Sequence, residues 1–299
     1  MDNAAITLGA TPEIRTHHRI GWRTFARRNL MGLTGVAILL FLILTAIIGP
    51  YLVPASPTSI EFDAFLRPSN AHPFGTDLLG RDVFSRVIYG ARISLGIGFA
   101  AVAIGSLGGS LVGVIAAYFG GWVDYVIQRI IEVVMAFPGF ILLVILAAVL
   151  GASVRNVILI LGIFAIPLMT RVVRSIVLSE REQPYVEAAR SLGATNGRVL
   201  LVHVFPSVLP LAGILSALSL GSLILAEAGL SFLGLGVPAP TPSWGADLGG
   251  PARTYFQQAP WLAIFPGLAV SITILGANML AEAVRDIIDP FSSGMNAGK

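Results

Sequence analysis

Leu30 to Gly49 reads LMGLTGVAILLFLILTAIIG, twenty residues without a charge. A bilayer core about 30 Å thick takes about 20 helical residues at 1.5 Å each, so this stretch alone is long enough to cross it. Twelve of its residues are Leu, Ile, Val or Phe; at roughly −0.4 kcal/mol apiece, insertion is favoured by about 5 kcal/mol. The run is too long for the apolar part of a cleaved leader and ends in Gly49-Pro50 without a small-x-small site. It predicts a retained membrane helix.

The rest of the chain repeats the pattern. Further runs extend from Ile93 to Tyr118, Ile130 to Leu150, Asn156 to Thr170, Leu209 to Gly236 and Trp261 to Ala281. Arg171 and Arg174 fall in the last turns of the fourth run, where they are expected to snorkel to the headgroups. The runs are continuous rather than alternating, which excludes a barrel. Of the 299 residues 55% are hydrophobic and 12% charged, against roughly 25% charged in soluble domains; mean hydropathy is +0.83. The expected fold is an all-α membrane protein with six transmembrane helices.

Arginine and lysine counts give the orientation. With the N-terminus inside, the cytoplasmic segments hold 13 of these residues and the outer segments 6, so both termini are expected in the cytoplasm. Residues 1–29 then form a cytoplasmic segment. Its part from His18 to Asn29 interleaves Ile20, Trp22 and Phe25 with arginines, as an interfacial helix does. Residues 30–49 are the first span and 50–92 an outer segment. Residues 93–290 form a core of five further spans with a cytoplasmic loop at 177–208, and 291–299 a tail.

The composition excludes several activities. The only lysine is Lys299 and all other basic residues are arginine, so a phosphate-binding G-x-x-x-x-G-K-[ST] loop is absent. Cysteine is absent, and with it any disulfide or thiolate metal site. No H-E-x-x-H or G-x-S-x-G occurs. The dispersed arginines make no basic face for a nucleic acid.

Two segments interrupt the apolar runs at length. In the outer one, Pro54, Pro57, Pro68 and Pro73 precede Phe74-Gly75-Thr76-Asp77 and Gly80-Arg81-Asp82, predicting ordered turns, with a short helix from Val83 to Arg92 leading into the second span. In the cytoplasmic one, Ser179 and Glu182 have capping-box spacing and Tyr185 to Leu192 favours helix. Gly193 suits the left-handed position past that helix, and Thr195 caps a second helix that Pro206 limits. Two short helices with a glycine corner make a knob shaped to enter a groove on another protein.

Glu187-Ala188-Ala189, three residues, then Gly193 resembles the cytoplasmic loop of importer permeases of the ATP-binding-cassette class. Pro206 stands in register with the end of that pattern, while His203 and Phe205 depart from it. His72-Pro73-Phe74-Gly75-Thr76-Asp77, Gly80-Arg81-Asp82, Leu230-Ser231-Phe232-Leu233-Gly234-Leu235-Gly236, Pro242-Ser243-Trp244-Gly245 and Arg285-Asp286 are similar to the second permease subunit of dipeptide, oligopeptide, nickel and glutathione importers. Glu282 stands where relatives usually carry Asp. The resemblance covers about residues 20–290 and implies a type I importer permease in the bacterial inner membrane. It implies a homologous second permease, two ATP-binding subunits that carry ATP and Mg, and an extracytoplasmic solute-binding protein as partners. The coupling residues it implies are Tyr185, Glu187, Ala188, Ala189, Arg190 and Gly193. No cofactor is expected on this chain. Short peptides are the implied substrate, with glutathione and nickel chelates as alternatives; a stand-alone carrier or channel is the alternative function.

Within the spans, Glu227 is either a pathway or gating residue or a hydrogen-bonded lock between helices. Asn278 is a second pathway candidate, with interhelical hydrogen bonding as the simpler role. Arg129 and Glu132 are expected to form an ordinary ion pair, and His203 to pack in the knob. Glycines 105, 109 and 113, and Gly213, Ala217 and Gly221, form stripes that let helices pack closely. Pro138, Pro167 and Pro266 are expected to kink their spans.

Overall fold

The computed structural model describes residues 30–288 apart from Pro54; the basic segment at 18–29 and the tail lie outside the described residues. In chain order the helices are α1 (Leu30–Ile48), α2 (Val83–Phe119), α3 (Gly121–Met135), α4 (Gly139–Leu150) and α5 (Val154–Arg181). There follow α6 (Pro184–Ser191), α7 (Asn196–Val199), α8 (Phe205–Phe232), α9 (Trp244–Leu248), α10 (Gly250–Thr254) and α11 (Trp261–Ile288). No strand is present among the described residues. This is what a solvent without hydrogen-bonding groups demands of a spanning backbone. Five helices are long and apolar enough to cross a membrane: α1 with its terminal 3-10 turn, α2, α5, α8 and α11.

The centre is the seam between α2 and α5. A Cβ added to Gly105 would lie 2.5 Å from Ala165 Cβ, one on Gly109 2.5 Å from Met169 Cβ, and one on Gly113 3.0 Å from Val173 Cβ. Thr170 Oγ1 donates across it to Gly109 O at 3.2 Å. The first glycine stripe therefore does what its spacing predicts. The pairs 105–165, 109–169 and 113–173 share one offset, so the two helices run parallel. The second stripe behaves differently. Gly213 is exposed with nothing within 4 Å of its would-be Cβ, and Gly221 has only ordinary contacts with α11.

The third apolar run is not one straight helix. α3 and α4 meet at 89° across Ala136-Phe137-Pro138. Pro138 has no N–H to give and its ring disfavours helix at Phe137. At 12 residues α4 is about 18 Å long, too short to cross alone. Pro167 and Pro266 lie inside helices that continue through them. Val83 to Arg92, expected as a separate short helix, is the start of α2.

One end of the bundle carries a cap made of residues 51–82 and 233–260. Asp82 caps α2 by accepting from Ser85 N at 2.8 Å. Asp77 accepts from Leu79 N, Arg81 N and Arg81 Nε at 2.8, 2.9 and 2.6 Å. Gly80, with φ +74°, runs so close to Phe62 O that a Cβ would sit 1.9 Å away. The expected ordered turns are these. Trp244, 1% exposed, donates to Val87 O at 2.9 Å, and Trp261 Nε1 donates to Thr76 O at 3.2 Å. Arg86 pairs with Asp247 and also donates to Pro57 O at 3.0 Å. Gly109→Leu is expected to remove most folded protein from the membrane, since overpacking typically costs about 1–3 kcal/mol and here meets backbone. Gly213→Ala is expected to leave the yield and the melting temperature in detergent unchanged.

Candidate functional site

At the opposite end α5 projects past the bundle and the chain folds into the knob. Ser179 does not start a helix, because α5 continues to Arg181 and absorbs it. The turn comes at Glu182-Gln183, and α6 begins with Pro184, whose fixed φ and missing N–H suit a first turn. Val186 is the one buried side chain of α6; it packs with Met169, Val173, Val177, Val199, Val204 and Val208. The rest of the expected coupling set faces outward. Tyr185, Glu187, Ala188, Arg190 and Gly193 are exposed and Ala189 is half-buried. Tyr185 hydrogen-bonds to Glu180, and that carboxylate holds the phenol above its usual pKa.

The helix ends on a Schellman motif. Gly193 has φ +85°, its N–H donates to Arg190 O at 2.9 Å, and Ala194 N donates to Ala189 O at 3.0 Å. Space does not require the glycine, since no described residue lies within 4 Å of a Cβ there; the backbone angle does. Leu192, immediately before it, is 89% exposed. Sequence reasoning counted Leu192 as part of the helix and passed over it. Its signal was an apolar residue placed just before a left-handed glycine, where its own chain has no surface left to cover it.

Thr195 caps the second helix through Arg198 N, at 3.4 Å. That helix does not stop at Pro206. α7 passes through a π-turn at Leu200–Val204 into α8 without a break. Phe205 N reaches back five residues to Leu200 O. The widened turn takes in a proline whose ring would clash with a regular preceding turn. The knob is therefore one free helix plus the extended end of the fifth apolar run. His203's side chain lies outside the described residues.

The knob is tied to the neighbouring helix ends by charge. Arg174 grips Asp124 of α3 with both Nε and Nη2 at 2.5 Å, instead of reaching freely to headgroups as expected. Arg181 Nη1 donates to Ala117 O at the end of α2 at 3.1 Å. The expected Arg129–Glu132 pair forms at 2.9 Å with both side chains half or more exposed.

The two polar span residues are far from the knob and in opposite settings. Glu227 is wholly enclosed in α8. Ser231 Oγ donates to its Oε1 at 2.8 Å, and the hydroxyls of Ser94 on α2 and Ser243 in the cap face the same carboxyl. Those serines also accept from backbone: Ser231 from Val237 N, Ser94 from Trp244 N and Ser243 from Ala246 N. Asn278 is exposed on α11, beside Gly221 of α8, and makes no side-chain hydrogen bond among the described residues.

Residues 109–293 match the family described as binding-protein-dependent transport system inner membrane component, and residues 19–73 match the N-terminal membrane domain of oligopeptide transport permease C. The chain belongs to this family of inner-membrane transport permeases, and is a multi-pass transport subunit of the bacterial inner membrane rather than an enzyme. Among its relatives, the dipeptide transport system permease protein DppC of Alkalihalophilus pseudofirmus is 40% identical over 88% of this chain and 87% of its own length. The glutathione transport system permease protein GsiD of Escherichia coli O157:H7 is 41% identical over 97% of this chain and 96% of its own.

Val186→Ala is expected to speed amide exchange across residues 184–192 by about tenfold or more, since truncating a buried aliphatic costs on the order of 2 kcal/mol. Exchange in α8 should stay as it was. Glu227→Ala is expected to lower the melting temperature because it removes the acceptor that Ser231 uses, a loss of roughly 1–3 kcal/mol; Glu227→Gln, which keeps an acceptor, is expected to lie close to the parent.

Proposed function

We propose that this chain is one half of the translocation pathway of an ATP-driven importer for short peptides or peptide-like solutes. It pairs with a homologous permease, receives solute from an extracytoplasmic binding protein, and is driven by two ATP-binding subunits that engage the knob. The substrate class follows that of the dipeptide and glutathione permease relatives; nickel chelates are the further alternative. One observation carries the coupling role. α6 presents Glu187, Ala188, Arg190 and a bare Leu192 to the outside while a single valine fastens it to α5 and α8. An exposed leucine beside small residues is the surface of a helix that enters a groove, and none of the described residues covers it.

We infer six spans with both termini in the cytoplasm. α2 and α5 run parallel, so the chain between them has to return across the membrane, and α3 with α4 is the only apolar segment placed to do so. The arginine bias then puts the knob inside. ATP closure of the partner subunits displaces α6, and the π-turn passes that displacement into α8, which rocks the pathway between inward- and outward-facing. Asn278 lines the pathway in this scheme, as an exposed amide on a face shared with α8. Glu227 holds the far end of α8 to α2 and the cap, so that this end moves as a block.

Gly193→Asp is expected to abolish uptake while insertion and pairing with the second permease persist, because the left-handed backbone is strained and a carboxylate is added to the docking tip. Uptake of a radiolabelled dipeptide by cells, with pull-down of the ATP-binding subunits in mild detergent, reads both. Normal uptake with normal subunit recovery would reject the coupling role. A chain recovered with no partner, under conditions that preserve a known importer, would favour the stand-alone carrier.

A further inference from the structure

The seam between α1 and α2 on the cap side opens a groove of about 500 Å³ that the transport scheme does not use. Its walls are Ile43, Ala46 and Ile47 of α1 and Leu95, Gly96 and Phe99 of α2. Its end is polar and holds Tyr51 and Arg92. α1 and its terminal turn end at Tyr51, so that residue marks the membrane boundary, and Arg92 lines the same groove. From Arg92 to Phe99 the groove runs about 10 Å down α2 into the apolar layer. Gly96 leaves its floor open: nothing approaches within 4 Å of where a Cβ would be. Arg92 is exposed and has no ion pair or side-chain hydrogen bond among the described residues, in contrast to Arg81 and Arg86 nearby, which are both paired.

We propose that this groove is a binding site for a membrane phospholipid, with one acyl chain in the channel over Gly96 and the headgroup phosphate held by the Arg92 guanidinium. The walls supply only apolar contact, which lipid tails match. The single unpaired cation stands where a phosphate lies, at the boundary, and guanidinium–phosphate pairs are strong and bidentate. Tyr51, 81% exposed and lining the same groove, is placed to donate its hydroxyl to the same headgroup. α1 packs on α11 through Gly32 and Gly35, which lie about 12 Å or more along the helix from Ile43, so filling the groove does not compete with that contact.

The test is native mass spectrometry of the full importer complex, purified in mild detergent, stripped of lipid and titrated with phosphatidylglycerol or with diacylglycerol, which has no phosphate. The parent is expected to retain one phosphatidylglycerol per copy of this chain more tightly than diacylglycerol. Arg92→Gln should weaken that retention by about tenfold, the scale of a charge-assisted contact, and Arg92→Lys should restore part of it. Gly96→Phe should displace both lipids, since its side chain enters the channel from a Cβ position that no described residue approaches within 4 Å. Arg253→Gln, at an exposed arginine outside the groove, should change nothing. Equal retention of the two lipids by the parent, an Arg253 effect equal to that of Arg92, or a Gly96→Phe complex that keeps its lipid would each overturn the site. A parent that retains no lipid, as when a partner helix occupies the seam, would overturn it as well.

Discussion

Backbone contact between α2 and α5 is the constraint from which the rest of the subunit follows. In a bilayer the helices gain nothing by hiding apolar surface from lipid, so association depends on close packing and on hydrogen bonds between helices. Glycine supplies the first, allowing Gly105 and Gly109 to approach α5 within a distance that even one methyl group would spoil. Thr170 supplies the second. The parallel register also dictates topology, because a chain that descends twice side by side has to climb once in between. In the six-span path proposed above, α3 and α4 together make that climb, with the bend at Pro138 between them. Asp124, in the first turn of α3, is gripped by Arg174 and holds that end of α3 to α5.

The two ends of the bundle are built on opposite plans. The cap is a network of buried polar contacts in which Arg86, Trp244 and Trp261 tie segments remote in the chain while Asp77 and Asp82 close local turns. Its glycines approach carbonyl oxygens closely, so the turns have little freedom. The knob is held by a few valines, while Arg174 and Arg181 anchor the end of α5 from which it hangs. A firm end and a lightly fastened end suit a subunit that is driven from one side.

The apolar runs placed every long helix because membrane length and helix rise leave little choice. Gly193 was legible for a similar reason: few residues other than glycine take φ near +85° after a helix. Three features were hidden. The break at Pro138 lies in an uninterrupted apolar stretch, and hydropathy carries no angle. The passage through Pro206 depends on a π-turn, a local widening without a compositional signature; a proline read in isolation signals a stop. The setting of Glu227 depends on Ser94 and Ser243, which stand far from it in sequence, so the choice between pathway residue and lock had no local answer. Asn278 illustrates the converse, since its exposure in this subunit could not be read from a run that is apolar on all sides.

The pairing of α1 with α11 sets a schedule for synthesis. Gly32 and Gly35 lie against Ala283 and Leu280, and Thr34 faces Met279 across 245 positions of sequence. At about 5–20 residues per second, α1 waits roughly 12 to 50 s for α11. Throughout that interval its small-residue face is open in the membrane. A chain truncated before α11 never closes that face, and an unfinished subunit thereby differs from a finished one in leaving Gly32 and Gly35 open.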